Sequence, residues 1–423
     1  MAIAHELRYT DPMYIAILGR QPALGMAELE SLYGSEHTRW FSDESALVDD
    51  SRFDFERLGG SQKAGRVVAE LHGDWRQASM QIVKAYTDAW SSHQGKITLG
   101  ISAYGFRTTA RDVQKTGIVL KQKLKTHGVS VRLIPNAEPA LNTAASHHNK
   151  LGLSDNHVEL LVVRAGNGTI IVAESLGAQN ITALAARDQA RPKTDAFVGM
   201  LPPKLARMMV NLAVGDDILE SNSYDLVKSS ATQNLTVLDP FCGTGVVLQE
   251  AALLGYNTYG TDLSEKMVDY SRQNLNWLVE KYGLSVDITI EQGDAMTHTW
   301  PLLSAQNSEF RTPVAVVAET YLGQPFSAPP SSAKLTEVRG NCNHIISEFL
   351  KNIGSQLEPG APLCIAVPAW RDRAGRFTHL PFIHALDKLG YAQVALTHVK
   401  ESQLLYYREN QIVARELLIL KKS

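Results

Sequence analysis

The most informative stretch of the sequence is the run Asp239-Pro-Phe-Cys-Gly-Thr-Gly245, which lies between an apolar segment and a second apolar segment of helical period. Gly243 and Gly245 carry no Cβ, so the backbone can turn tightly there and approach a ligand closely. Asp239 can accept a hydrogen bond from an ammonium group. The run therefore predicts a ligand-binding loop between a strand and a helix.

Two further acidic residues stand at the ends of the next predicted strands. Asp262 closes the second strand and can accept both hydroxyls of a ribose. Asp294 follows the third strand, where a carboxylate can meet an adenine amino group. Because three acids end three successive strands, they indicate a nucleoside site rather than a set of surface turns.

Two other nucleotide-binding motifs are not found. After Gly245 the chain continues Val-Val-Leu-Gln, which does not complete the GxGxxG fingerprint of dinucleotide enzymes. The sequence GxxxxGK[ST] does not occur, which disfavours a nucleotide triphosphatase. Cys242 is predicted to fill the loop as a small side chain rather than to act as a nucleophile.

A regular alternation of strands and helices after residue 234 positions these residues. Runs such as LTVLDP, NTYGTD and VAVVAE predict short buried strands, and the segments between them have helical period. We predict an α/β, Rossmann-like domain over residues 206–423, with a doubly wound and mostly parallel sheet. A helix is predicted over 380–389 and a strand over 391–399. Ligands bind at the carboxyl ends of the strands in such sheets, where the three acids stand.

The first half of the chain predicts two α+β units. Residues 1–95 begin with the strand YIAIL, and residues 96–180 combine the strand KITLGISAYG, a basic helix over 117–128 and a hairpin. Residues 181–205 contain three prolines and are predicted to be a linker that ends in a helix beginning KLARMMVNLA.

The net charge of −3 hides an uneven distribution. Residues 96–205 carry 14 lysines and arginines against 7 acids, whereas residues 1–95 and 206–423 each have a balance of −5. A basic segment between two acidic ones is what a module that binds a polyanion requires. Clustering on solvated faces is the alternative interpretation.

Composition excludes several classes of protein. A chain of 423 residues with 44% hydrophobic and 20% charged residues is typical of a globular protein with two or three domains. No apolar run approaches ~18 residues, and the first residues lack the pattern of a signal peptide, so we expect a cytoplasmic protein. The three cysteines form no CxxC pair, and no metal site is predicted.

The run DPFCGTG, followed by an acid after the second strand, resembles the S-adenosylmethionine motif of amino-group methyltransferases. Two longer segments, 187–213 and 404–420, resemble parts of the THUMP-domain tRNA guanine-N2 methyltransferases, which modify guanosine at position 10. Residues 96–180 are similar to a THUMP domain, and residues 1–95 resemble the ferredoxin-like N-terminal domain of that family. The resemblance covers most of the chain.

The resemblance implies S-adenosyl-L-methionine as the cofactor and tRNA as the partner. The implied cofactor-binding residues are Asp239, Pro240, Phe241, Cys242, Gly243, Thr244, Gly245, Asp262, Leu263, Asp294 and Ala295. The candidate RNA-binding residues are Lys121, Lys123, Lys125, Lys150, Arg191, Lys193 and Lys204. Some relatives use a small zinc-protein activator, which becomes a candidate partner here.

The fourth strand departs from the family pattern. The family ends this strand in Asp-Pro-Pro-aromatic, whose carboxylate binds the exocyclic amine while the aromatic ring stacks on the flipped base. Here the strand ends in Glu319-Thr-Tyr-Leu-Gly-Gln-Pro-Phe326. Glu319 matches the aspartate as an acceptor for the amine, and Tyr321 or Phe326 is the candidate stacking ring.

The resemblance predicts transfer of a methyl group to N2 of a guanosine in tRNA. Two alternatives stay open at this point. One is a DNA amino-methyltransferase, because such enzymes share the cofactor loop. The other is a tRNA-binding protein that keeps the cofactor fold with an inactive fourth motif. The choice between mono- and dimethylation and the oligomeric state also stay open.

Overall fold

The computed structural model describes residues 12–195, 201–215, 235–303, 313–326, 328–409 and 411–423. The chain forms two compact units. The N-terminal unit comprises Met1–Leu29, Tyr33–Glu56 and Gly60–Ala183, and the C-terminal unit comprises Glu30–Leu32, Arg57–Gly59 and Leu184–Ser423. Over the described ranges, no helix is both long and apolar enough to cross a membrane.

The N-terminal unit is built on one eight-stranded sheet of order β2-β3-β1-β4-β8-β7-β5-β6. Its strands are β1 Tyr14–Leu18, β2 Thr38–Ser42, β3 Ser45–Val48, β4 Ser61–His72, β5 Lys96–Tyr104, β6 Ser130–Leu133, β7 His157–Arg164 and β8 Thr169–Ala178. The pairs β5–β6 and β5–β7 are parallel, and the other pairs are antiparallel. The predicted boundary at residue 95 falls before β5, within this sheet.

Four helices lie along this chain segment: α1 Pro22–Tyr33, α2 Trp75–Trp90, α3 Ala110–Thr126 and α4 Thr143–His148. Helix α2 begins with a capping box, in which the side chain of Asp74 accepts from the backbone N–H of Gln77 at 2.9 Å. The apolar sides of α2 and α3 pack on β5 to β8 in one core cluster. The opposite sides of these two helices stay exposed, as a helix with a single apolar face requires.

The C-terminal unit is a doubly wound sheet. Its main strands are β9 Thr236–Asp239, β10 Asn257–Asp262, β11 Ile288–Gln292, β12 Val314–Glu319, β13 Pro362–Arg371, β15 Tyr391–Gln393 and β17 Val413–Lys422, in the order β11-β10-β9-β12-β13-β17-β15. The short strands β14 Phe377–Thr378 and β16 Leu405–Tyr406 pair with β13 and β17. Strands β9 to β13 run parallel and β17 runs antiparallel, which confirms the predicted Rossmann-like fold.

The helices of this region are α5 Ile181–Gln189, α6 Pro203–Val214, α7 Val246–Leu253, α8 Glu265–Tyr282 and α9 Ser332–Gly354. A core cluster joins one face of the sheet to α9 and centres on the buried side chains of Trp300, Phe349 and Trp370. On the opposite face, α6 packs against β12, β13 and β17. Because these elements cover the two faces of the sheet, the carboxyl ends of the strands form an edge at which a ligand can bind.

Three local predictions need correction. The predicted linker 181–205 begins with helix α5, because the side chain of Asn180 caps it by accepting from the N–H of Ala183 at 2.9 Å. The predicted helix 380–389 is two 3₁₀ segments, Pro381–Ala385 and Asp387–Leu389, because N–H groups there, such as those of Ile383 and Leu389, bond to the carbonyl three residues back. The strand predicted over 391–399 ends at Gln393.

Candidate active site

A cavity of about 510 Å³ lies at the carboxyl ends of the strands in the C-terminal unit. It is at the point where the strand order reverses, between β10 and β12 on either side of β9. The predicted site residues that line it are Asp239, Pro240, Phe241, Cys242, Gly243, Thr244, Asp262, Leu263, Asp294, Ala295, Glu319 and Tyr321. Gly245 and Phe326 lie outside this lining. Leu201, Met296 and Ile345 also line the cavity, and no motif in the sequence predicts them.

Backbone geometry explains the two loop glycines. Gly243 has φ of 51° and Gly245 has φ of 81°, which is the left-handed region that glycine adopts without strain. The N–H of Gly245 donates to the carbonyl of Cys242 at 2.7 Å, which closes a tight turn before α7. A Cβ on Gly245 would lie 3.0 Å from Oγ of Ser271. The loop therefore needs glycine both for its turn and for its contact with α8.

Two side chains of helix α8 form hydrogen bonds to this loop. The hydroxyl of Ser271 donates to the carbonyl of Gly243 at 2.8 Å, and Nδ2 of Asn274 donates to the carbonyl of Thr244 at 2.8 Å. Both side chains are fully buried. Two polar residues three positions apart on the apolar face of α8 were the available sequence signal, and the sequence analysis missed it. Ser271 and Asn274 therefore hold two carbonyls of the loop in place.

Asp262 is held by two backbone donors. Its Oδ2 accepts from the N–H of Gly243 at 3.0 Å, and its Oδ1 accepts from the N–H of Ser264 at 2.9 Å. Burial raises the pKa of this carboxyl, and the two N–H donors oppose that rise. Each oxygen keeps a second lone pair for a ligand hydroxyl, so the geometry suits a vicinal diol.

Asp239 is the most buried acid of the site, with 2% of its surface exposed. Its Oδ1 accepts from the N–H of Phe241 at 3.0 Å. Burial raises the pKa of Asp239 well above its ordinary value, and the negative charges of Asp262 and Glu319 raise it further. A cationic ligand would favour the ionised form of Asp239, because its positive charge would oppose the effects of burial and of the like charges.

Asp294 completes the acidic lining. Its Oδ1 accepts from the N–H of Met296 at 2.9 Å, and its backbone carbonyl accepts from Thr297 and His298. Four carboxylates line the cavity: Asp239, Asp262, Asp294 and Glu319. In the part of the chain that the structure describes, no lysine or arginine lines it. The cavity therefore favours a ligand that carries positive charge.

Glu319, the predicted acceptor for the amine, forms a buried ion pair with Arg415. Nε of Arg415 donates to Oε1 of Glu319, and the two side chains are 9% and 15% exposed. Burial raises the pKa of Glu319, and the charge of Arg415 lowers it. Oε2 of Glu319 makes no hydrogen bond within the described chain, so it can accept one from a ligand. Arg415 belongs to no motif and was not predicted from the sequence.

The structure separates the two candidate stacking rings. Tyr321 lines the cavity and is 42% exposed, so its ring is accessible to a planar ligand. Phe326 instead packs against the apolar core beside α9. Thr320, between Glu319 and Tyr321, is buried and donates both its N–H and its hydroxyl to the carbonyl of Ala366. This double contact fixes the start of the loop that carries Tyr321.

Cys242 is 4% exposed, and its Sγ lies 3.6 Å from Oγ of Ser271. Burial raises the pKa of its thiol well above the ordinary value, and the charge of Asp239 raises it further. A thiol that resists ionisation is a poor nucleophile. The placement of Cys242 therefore agrees with a packing role in the loop.

The candidate RNA-binding residues differ in exposure. Lys121, Lys123, Lys125 and Lys150 are exposed, and Lys193 and Lys204 are half-buried. Arg191 is 4% exposed, and its guanidinium nitrogens have no hydrogen-bond partner among the residues that the structure describes. Its placement in the interior removes it from the exposed basic surface, although the sequence analysis counted it there.

A basic groove lies between α2 and α3 of the N-terminal unit, with a volume of about 850 Å³. Its five cationic residues are Arg76, Lys84, Arg107, Lys115 and Lys123, and its two acids are Asp74 and Asp112. All five cations are exposed, and within the described ranges none forms an ion pair with a carboxylate. Only Lys123 was among the sequence candidates. Arg76 and Lys84 lie on α2, Arg107 lies in the loop before α3, and Lys115 lies on α3 before the predicted basic helix 117–128.

Several known proteins are similar to parts of this chain. A family model described as DNA methylase matches residues 221–273, which include the glycine-containing loop. A tRNA (guanine(10)-N2)-dimethyltransferase of Methanothermobacter thermautotrophicus is 30% identical over 187 residues, 44% of each chain. A protein of the same name from Pyrococcus abyssi is 40% identical over 95 residues, 22% of each chain. The chain is similar in sequence to tRNA (guanine(10)-N2)-dimethyltransferases.

The predicted resemblance to tRNA guanine-N2 methyltransferases is confirmed by these two alignments. The first alignment spans 44% of the length of that tRNA (guanine(10)-N2)-dimethyltransferase. Among solved structures, TrmN from Thermus thermophilus matches 97% of this chain and 100% of its own, with 18% identity and a TM-score of 0.48.

Proposed function

We propose that this protein transfers a methyl group from S-adenosylmethionine to the exocyclic N2 of a guanosine in tRNA, at position 10. One observation carries the proposal. The cavity at the carboxyl ends of β9 and β12 is lined by four carboxylates and an accessible tyrosine ring, and by no lysine or arginine among the described residues. The sequence similarity to tRNA (guanine(10)-N2)-dimethyltransferases selects the substrate among amino-group acceptors.

The residues present fit S-adenosylmethionine, which supplies an activated methyl group on a sulfonium. Asp262 would bind the ribose diol with both carboxylate oxygens, and Asp294 would accept from the adenine amino group. Asp239 would accept from the ammonium group of the methionine part. Gly243 leaves room for the close approach of the ligand, and the acidic lining suits its positive charges.

The guanine amine would meet Glu319 and Tyr321. Oε2 of Glu319 would accept a hydrogen bond from N2 and help the amine lose a proton during or after transfer. Tyr321 would stack on the flipped base, which is a common way to hold an extruded nucleotide. Methyl transfer is an in-line displacement, so most of the rate would come from holding the amine in line with the methyl group.

The basic groove would bind the tRNA backbone. The groove has five cationic and two acidic residues, so its excess positive charge complements a chain of phosphates. Within the described chain, the five cationic residues form no ion pairs. We assign residues 96–180 to a THUMP-like part and residues 1–95 to a ferredoxin-like part, joined through the linker 181–205 to the catalytic part 206–423. A cytoplasmic location and a zinc-protein activator stay predictions from the sequence.

The proposal is tested by supplying labelled S-adenosylmethionine with either total tRNA or duplex DNA. Methylation of tRNA and not of DNA is expected. Methylation of DNA alone would favour a DNA amino-methyltransferase, which the family model over residues 221–273 makes the second candidate. Binding of both ligands without transfer would identify an inactive tRNA-binding protein.

Asp262→Ala is expected to weaken S-adenosylmethionine binding by about tenfold. Each lost charge-assisted hydrogen bond contributes about 1.5–3 kcal/mol in favourable cases, and part of the loss is offset by water. Calorimetric titration with the cofactor measures the change. The control is Glu265→Ala, which removes an exposed acid three residues further along, outside the cavity. Equal affinities for wild type and Asp262→Ala would remove Asp262 from the ribose site.

Tyr321→Ala is expected to lower tRNA turnover at subsaturating substrate by about tenfold, because base stacking contributes roughly 1–3 kcal/mol. Phe326→Ala should leave kcat/KM for tRNA nearly unchanged and lower the thermal midpoint instead, since Phe326 packs on the core. Steady-state kinetics and thermal unfolding of both variants make the comparison. The reverse pattern would show that Phe326 is the stacking ring.

A further inference from the structure

We propose that Arg415 is a positioning residue for methyl transfer, which keeps the carboxylate of Glu319 ionised and fixes it at the cavity. The inference rests on the proposed function, because it assigns to Glu319 the task of binding the guanine amine. Arg415 does not line the cavity, so it acts through Glu319.

The sheet places the two side chains on the same face. Glu319 of β12 pairs with Ala366 of β13, and Arg415 of β17 pairs with Pro368 of β13. Ala366 and Pro368 are two residues apart, so they and their partners point to one side of the sheet. The side chains of Ala366 and Pro368, which lie between Glu319 and Arg415, are short. Arg415 can therefore extend across β13, a span of about two strand spacings of ~4.8 Å, to reach Glu319.

The contact is an ion pair inside the protein. Nε of Arg415 donates to Oε1 of Glu319, and both side chains are largely buried. A carboxylate held through one oxygen keeps a defined orientation, with its second oxygen left for the ligand. Removing one partner of such a pair leaves the other charge buried and uncompensated.

Other charged groups near Glu319 do not replace Arg415. From β9, Asp239 faces the same cavity, but it is an acid and supplies no positive charge. Helix α6, which packs on this face, carries Lys204 and Arg207, and Arg207 is paired with Glu250 at 2.8 Å. Tyr321 follows in the next loop. Without Arg415, burial would favour the protonated form of Glu319.

The direction of the pH effect follows. Burial raises the pKa of Glu319, and Arg415 is the cause that lowers it. Loss of Arg415 therefore moves the pKa of Glu319 upward, and a smaller fraction of the carboxylate is ionised at neutral pH. Since only the ionised form can accept at both oxygens, turnover should fall at neutral pH and recover as the pH rises.

The experiment compares pH–rate profiles of tRNA methylation for wild type, Arg415→Gln and Arg415→Lys. Arg415→Gln is expected to move the acid limb of kcat upward by about one pH unit or more, with the loss shrinking at high pH. Arg415→Lys keeps the positive charge and should restore much of the wild-type profile. If Arg415→Gln lowers kcat by the same factor at every pH, Arg415 is merely structural and the proposal fails.

Two further variants sharpen the comparison. In a Glu319→Gln background, adding Arg415→Gln should cause no further fall in kcat, because both changes remove the same interaction. If the double variant lowers kcat by the product of the two separate losses, the proposal is contradicted. Arg376→Gln is the control, since it removes an arginine whose pair with Asp372 is exposed. This control should keep the wild-type pH profile.

A direct titration distinguishes failure of this inference from failure of the proposed function. Protein labelled with ¹³C at glutamate carboxyls identifies Glu319 as the resonance lost in Glu319→Gln. Its titration midpoint should be higher in Arg415→Gln than in wild type. If wild type methylates no tRNA but this midpoint shifts, the proposed function fails while the pair stands. Identical midpoints overturn the inference whatever the activity.

Discussion

Glu319→Gln is expected to lower the rate of methyl transfer to tRNA by about 100-fold, the lower end of the range for a positioned acid–base group. Glutamine keeps the size of the side chain and one acceptor oxygen, but it removes the charge that favours loss of the amine proton. Single-turnover kinetics with saturating S-adenosylmethionine measures the effect on chemistry alone.

Binding measurements separate this effect from damage to the site. Glu319→Gln should bind S-adenosylmethionine and tRNA with nearly wild-type affinity. The thermal midpoint should fall somewhat, because Arg415 loses its buried counter-charge. A variant that keeps full turnover would show that Glu319 takes no part in the chemistry.

Reversing the charge of two lysines in the basic groove, Lys115→Glu with Lys123→Glu, is expected to weaken tRNA binding by roughly 10- to 100-fold at low salt. Each phosphate contact contributes about 0.9 to the slope of log affinity against log salt concentration, so the slope should become shallower by nearly two. Filter binding over a series of salt concentrations gives both quantities.

The same helix provides a matched control. Lys121 and Lys125 are exposed on α3 but do not line the groove, and Lys121→Glu with Lys125→Glu changes the net charge equally. This control should weaken binding much less. If both double variants lose the same tRNA affinity, binding depends only on the overall charge of the unit. The groove would then not be the tRNA-binding surface.

Local sequence signals were sufficient to predict that three acids lie together at one edge of the sheet. Asp239, Asp262 and Asp294 were predicted from their places at strand ends, and the parallel sheet brings them to one edge. Periodicity predicts such ends because a buried strand is a short apolar run that a turn must follow. The Rossmann-like fold was predictable for the same reason.

The residues that the sequence analysis missed depend on distant pairing. Arg415 is 96 positions from Glu319, and their contact follows only from the insertion of β17 beside β13 in the sheet order. The groove cations come from α2, α3 and the loop between β5 and α3, so no local cluster marks them. The placement of Phe326 in the core rather than the cavity was decided by packing against α9, which periodicity does not show.

The central claim, methyl transfer to N2 of a guanosine in tRNA, is tested most directly by nucleoside mass spectrometry of a tRNA transcript after incubation with the protein and S-adenosylmethionine. A transcript with guanosine at position 10 should yield N2-methylated guanosine, and a transcript with adenosine at that position should yield none. Equal methylation of both transcripts would contradict the proposed position. Methylated adenosine or cytosine without methylated guanosine would contradict the claim itself.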